Sequence, residues 1–166
     1  VAIEKVLKQV GFYSKEASEL LFRKRTENKE ECFRHLHEGI IPMMEALKAR
    51  VVKVALISNC FTEEAAVIRN SVLFPYFDVA MMSCEQGVKK PDEEIFYRCL
   101  KELDVDAKEC VYVGDGGSRE LEVAESLGMK PLQACWYLVK GTKQPVWRLP
   151  EFTQVDDPMG VLDFCD

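Results

Sequence analysis

Four short apolar runs constrain this chain more than anything else in it: residues 51–58, 79–83, 110–114 and 131–135. They are rich in β-branched residues and have strand length. Between and around them lie stretches with helical spacing, at 42–49, 62–70, 92–103 and 118–127. Near-continuous apolar strands alternating with helices predict a parallel sheet covered by helices on both faces, a Rossmann-like α/β fold. The punctuation agrees. Pro42 opens a helix, Thr62 and Asp92 stand at cap positions, and Gly128 closes the helix that begins near Ser118.

The first 39 residues contain no strand signal. Val1, Ile3, Val6, Leu7 and Val10 fall at helical spacing, and Gly11 ends that helix. Ser14 is placed to cap a second helix carrying Ala17, Leu20, Leu21 and Phe22. Asn28, with Glu31 three residues on, predicts the start of a third helix that ends at Gly39. The expected organisation is therefore a helical segment over 1–39 and an α/β core over 40–166. From Trp136 onward no period is visible. That tail is expected to wrap the surface, with Trp136, Tyr137 and Trp147 in packing roles.

Composition excludes several classes of function. At 166 residues and 48% apolar content the chain can bury a real core. The net charge of −6 argues against nucleic acid or an anionic membrane as partner. No apolar run approaches the ~18 residues a membrane span needs. The seven cysteines are scattered and none forms C-x-x-C, which predicts reduced thiols in a cytoplasmic protein. His35 and His37 are two apart and face different directions on a helix, so they do not read as a metal pair.

Three chemistry-bearing segments follow strands. Ligands of open α/β sheets bind at the carboxyl ends of strands. Ser58 and Asn59 end the first run, where a hydroxyl can donate to a phosphate oxygen. Lys90 precedes Pro91 in Gly87-Val-Lys-Lys-Pro-Asp92, where its backbone is restricted and its ammonium can stand near a phosphate and a carboxylate. Asp115 ends the third run in the turn Gly114-Asp-Gly-Gly117, whose amides can face an anion. Glu120 follows one helical turn later. Two such carboxylates suit a hard cation such as Mg²⁺. Each segment alone also suits an ordinary strand end, lysine pair or helix start. Their order and spacing carry the weight.

A strand-end Ser, a Lys-Pro-Asp about 30 residues on, and a strand-Gly-Asp-x-x-x-x-acid about 25 residues further resemble the haloacid dehalogenase-like hydrolases across residues 40–135. The resemblance implies that Ser58 and Asn59 bind the phosphoryl group of a small phosphorylated substrate. Lys90 would neutralise nucleophile and phosphate, and Asp115 would hold Mg²⁺ with Glu120, where the family often has Asp. It further implies that residues 1–39 are part of a helical cap that selects substrate.

One expected element is absent. The family's nucleophile lies in Asp-x-Asp-x-Thr at the end of its first strand, and no such motif occurs here. Asp104-Val-Asp106 follows a helix and lacks the Thr; Asp156-Asp157 comes after every other motif. In this family the first strand is central, between the strands that here end at Ser58 and Gly114. Its loss would leave two apolar edges open or force them to pair with each other. The chain is therefore expected to be a piece or shortened form of a phosphatase, inactive by itself without the nucleophile Asp. The alternative is a truncated, non-catalytic phosphate-binding or regulatory member. Halide release from carbon is a further family activity. A dinucleotide domain is disfavoured, because the glycine turn is not G-x-G-x-x-G and comes too late in the chain. Oligomeric state is not fixed by these features.

Overall fold

The computed structural model describes residues 2–138 and 146–165. Val1 and part of the expected surface wrap, 139–145, lie outside the described residues. Among the described residues the order is α1 (Ala2–Gln9), α2 (Lys15–Arg34), α3 (Ile40–Ala49), β1 (Ala55–Ser58), α4 (Thr62–Arg69) and β2 (Val79–Met82). Then come α5 (Ser83–Gln86), α6 (Glu93–Leu103), β3 (Val111–Gly114), α7 (Glu120–Ser126), β4 (Lys130–Ala134) and β5 (Thr153–Val155). The chain divides into two compact units, residues 1–36 with 60–74 and residues 37–59 with 75–166.

The first unit is helical. Ser14 caps α2, its Oγ accepting the Ala17 N–H at 3.0 Å. The third helix predicted from Asn28 does not start there, because α2 runs unbroken from Lys15 to Arg34 and ends well before Gly39. The stretch around Asn28 has no Gly or Pro. Ion pairs one turn apart hold it helical: Lys24 with Glu27 at 2.9 Å and Arg34 with Glu31 at 2.8 Å. Continuity of good helix formers outweighs a local capping signal. α2 packs on α1 and α4. Arg25 of α2 reaches Glu63 at 2.8 Å and Glu64 at 3.1 Å, both on α4. Glu63 is buried, so that partner is required rather than decorative. Thr62 is the first helical residue of α4 rather than its cap. The Phe61 N–H is satisfied instead by the Glu64 carboxylate at 2.9 Å.

The second unit is α/β, with helices on both sides of parallel strands. β1 pairs with β2, Ala55 opposite Val79 through Ser58 opposite Met82. β4 lies between β3 and β5. β1 and β3 do not pair with each other, so the ladder is broken between the two strands that flank the expected gap. α6 packs on β1 and β2, and α7 on β3 and β4. The helix layer thus spans the break. Its core holds Val79, Met81, Ile95, Phe96, Cys99, Ala124 and Met129, with Ile57 and Tyr112 against it from the two ladders. Phe96 meets Tyr112 at 5.3 Å between ring centroids. Burying these side chains supplies the main driving force, roughly 1.5–3 kcal/mol for each large one.

Two strand expectations need correction. Residues 51–54 are not strand. Val51 has φ 61° and is 88% exposed, and the ladder starts only where β2 offers a partner. Val54 and Asp78 instead close the entry, with Val54 N–H on Asp78 Oδ2 and Asp78 N–H on the Val54 carbonyl, both at 2.7 Å. The tail is also more ordered than its lack of period suggests. It contributes β5, parallel to β4, and a 3-10 turn at Pro158–Phe164 that packs on α3. Trp147 is 71% exposed and does not pack as expected. Tyr137 is 51% exposed, and its hydroxyl accepts the His37 N–H at 2.7 Å.

Candidate active site

Parallel pairing puts every strand's carboxyl end on one side of its ladder. Ser58 lies opposite Met82 and Gly114 opposite Gln133 at those ends. Ser58 is half-buried there. The next side chain, Asn59, turns onto the loop that leads to α6. Its Nδ2 donates to the Lys90 carbonyl at 2.9 Å, and its Oδ1 accepts the Lys90 N–H at 2.8 Å. The Lys90–Pro91 peptide is cis. Asp92 then caps α6, accepting the Glu94 N–H at 3.0 Å.

Lys90 is half-buried. Burial pushes its ammonium below the ordinary lysine value, while the Glu120 carboxylate and then that of Asp115 pull it back. These two acids act on a lysine that comes from the other ladder, so the structure gathers Asn59, Lys90, Asp115 and Glu120 at one end of the strands.

The turn after β3 is built around its own acids. Asp115 is exposed, and its Oδ1 accepts the Gly117 N–H at 2.9 Å. Glu120 is 1% exposed. Its Oε1 accepts the Gly116 N–H at 2.8 Å and its Oε2 the Ser118 N–H at 2.7 Å. The expectation that these amides face an external anion is therefore corrected, since the carboxylates of Asp115 and Glu120 already occupy them. The glycines answer to the same packing. A Cβ at Gly114 would stand 2.8 Å from Glu120 Oε1, and Gly116 sits at φ +92° with Leu149 close by. α7 starts at Glu120 rather than Ser118 because residues 116–119 form this turn, with Arg119 left-handed at φ 55°.

Sequence reasoning missed Gln133. It is fully buried at the end of β4. Its Nε2 donates to the carbonyls of Asp115 at 3.0 Å and Trp147 at 2.7 Å, and its Oε1 accepts the Leu149 N–H at 2.8 Å. The signal was there: one amide inside an otherwise apolar strand. The side chain ties the Asp115 turn to the chain before β5. His35 pairs with Glu31, and His37 accepts the Gly39 N–H. No cluster of three metal-ligating side chains occurs among the described residues.

The family model of the haloacid dehalogenase-like hydrolases matches residues 3–128. The chain belongs to this family. It is 30% identical over 152 residues to the phosphoglycolate phosphatase of Aquifex aeolicus, covering 91% of this chain and 68% of that one. It is 35% identical over 91 residues to the glyceraldehyde 3-phosphate phosphatase of Methanocaldococcus jannaschii, 54% of this chain and 40% of that one. Among solved structures, the magnesium-bound HAD-hydrolase YfnB from Bacillus subtilis superposes with a TM-score of 0.71 at 18% identity, covering 98% of this chain and 69% of that one. At that identity the likeness shows the fold. The chain spans less than half the length of the first curated relatives it matches.

Proposed function

We propose that this chain carries the phosphate- and metal-binding part of an Mg²⁺-dependent phosphatase for a small phosphorylated metabolite. The observation that carries the reading is that Ser58 and Asp115 each stand at the carboxyl end of a parallel strand, with Lys90 under the influence of the Glu120 and Asp115 carboxylates. The nucleophilic aspartate would come from an upstream strand that fills the break between β1 and β3. The open edges and the share of each relative covered both support that placement.

In the reaction, an aspartate oxygen bonds to phosphorus as the ester oxygen leaves with a proton from a general acid, which the upstream segment would also supply and which the attacking water would re-protonate. Water then attacks phosphorus, releasing inorganic phosphate and restoring the carboxylate. The Ser58 hydroxyl donates to a phosphoryl oxygen, with Asn59 in the same turn. The Lys90 ammonium offsets charge on both nucleophile and phosphoryl group. Asp115 fits a hard cation, because its second oxygen lies outside the turn's hydrogen bond. Glu120 has one lone pair of each oxygen committed to a backbone amide and stands behind it as the second acid. Mg²⁺ would supply Lewis-acid neutralisation of the transferring group. Residues 1–39 would act as part of the substrate-selecting cap. The seven scattered cysteines, none in a C-x-x-C spacing, support placement in the cytoplasm.

The test is to sequence the amino terminus of the endogenous protein and assay that full chain on small phosphate esters with and without Mg²⁺. Phosphate release that needs Mg²⁺, and is lost in Asp115→Asn and Lys90→Ala, supports the reading. A natural chain that lacks an upstream aspartate and binds phosphate without turnover would replace it with the regulatory alternative.

A further inference from the structure

We propose that Asn59 is a positioning residue for Lys90. Its side-chain amide locks the Lys90 backbone, and through it the place of the ammonium at the strand ends. The kinetic consequence rests on the phosphatase reading; the lock itself does not.

Asn59 and Lys90 are 31 residues apart and lie beyond the last pair of the β1–β2 ladder, Ser58 opposite Met82. The Asn59 amide joins them by meeting both polar groups of one residue, donating at 2.9 Å and accepting at 2.8 Å. This is the pattern a neighbouring strand would offer. It also fixes the amide's orientation, because the flipped amide would set NH₂ against N–H and oxygen against oxygen. Both ends of the side chain are engaged with Lys90. The family resemblance implies a part for Asn59 in holding substrate; its contacts give it an indirect part, acting through its neighbour.

The lysine needs such a lock. Its ammonium makes no hydrogen bond or ion pair among the described residues, so no partner at its tip fixes its place. Its stem is defined by the backbone from which it leaves. That backbone is held by Asn59 on one side and by the start of α6, capped by Asp92, on the other. Lys89, next to it, is exposed, and its carbonyl accepts the Asp92 N–H at 2.9 Å. Removing the Asn59 amide frees the Lys90 N–H and carbonyl together, and with them the backbone from which the ammonium leaves. A misplacement of about 1 Å in a catalytic group costs on the order of 100-fold in rate.

Two measurements test this. In the full-length enzyme, Asn59→Ala should lower kcat about tenfold or more with KM nearly unchanged. In a Lys90→Ala background the same substitution should do nothing further. A rise in KM, or an effect that multiplies with that of Lys90→Ala, would overturn the proposal in favour of direct substrate contact. The second measurement needs no activity. Limiting acetic anhydride is applied to the protein and acetylation read by peptide mass spectrometry, with Lys89 as internal reference. The Lys90-to-Lys89 ratio should rise several-fold in Asn59→Ala and in the milder Asn59→Asp, which keeps the acceptor and loses the donor. An unchanged ratio in a folded variant refutes the lock. If the full-length protein hydrolyses no phosphate ester while the ratio still rises, the lock stands and the phosphatase reading fails.

Discussion

Glu120→Gln gives the sharpest test of how the site is built. Glu120 is buried, which by itself penalises a carboxylate; removing the charge could then stabilise the protein. Against this stand two short hydrogen bonds from the Gly116 and Ser118 amides, at 2.8 and 2.7 Å, and the nearby Lys90 ammonium. Bonds to a charged group contribute about 1.5–3 kcal/mol each. Glutamine can accept only one of the two N–H groups and presents its own NH₂ to the other. The variant therefore loses one charge-assisted bond, leaves a donor facing a donor, and weakens the bond that survives. The sum is a loss of about 3 kcal/mol, larger than the relief from removing the charge. For a chain of this size that is a fall in Tm of roughly 6–12 °C. Calorimetry or circular dichroism melts of the variant would read it, with Glu125→Gln as control, since Glu125 is exposed on the same helix. A Glu120→Gln protein that melts with the control, or above wild type, would show that burial cost governs the site and that the carboxylate does not hold the turn.

Other expectations follow from the same geometry. Gly114→Ala should reproduce the defect by steric means, because its Cβ would lie 2.8 Å from Glu120 Oε1 and 3.2 Å from the Tyr112 ring; a loss of about 1–3 kcal/mol in urea unfolding is expected. Gln133→Leu should strand the Leu149 N–H and the carbonyls of Asp115 and Trp147, costing about 3 kcal/mol and speeding amide exchange around 147–149; unchanged exchange there would refute the tie. Burial pushes the Cys99 thiol up from 9.0 to about 12, with the neighbouring Cys110 and then Glu102 adding to the effect. The folded state then holds this proton where the unfolded state has lost it. Stability from Cys99 is full below pH 9 and falls as pH rises toward 12, and Cys99→Ala should flatten that limb of the stability curve. Iodoacetamide at neutral pH should label exposed Cys32 well before Cys99, as mass spectrometry can follow.

The alternation of strand and helix was written in the sequence, because period and capping are local properties. The strands 55–58, 79–82, 111–114 and 130–134 fall inside or within one residue of the apolar runs, and Ser14, Asp92 and Gly128 punctuate as their chemistry requires. The family followed from three spaced motifs for the same reason, since each motif is a strand end with its own functional side chain. The sequence also singled out the pair of strands that the structure leaves unpaired, β1 and β3.

What tertiary structure alone decided is which groups the site residues touch. Where helix formers run on without a break, as through Asn28 in α2, cooperative extension overrides a capping signal. Where a strand needs a partner, as at Val51, propensity yields to the extent of the neighbour. β5 had no period of its own and exists because β4 offers an edge. Most of all, no spacing rule could say that the turn amides would be taken by Asp115 and Glu120, that Gln133 would tie the turn to the chain before β5, or that Asn59 would meet the backbone of Lys90. Those are contacts between residues far apart in the chain or folded back on themselves, and they arise only when buried polar groups must find partners in the space that packing leaves.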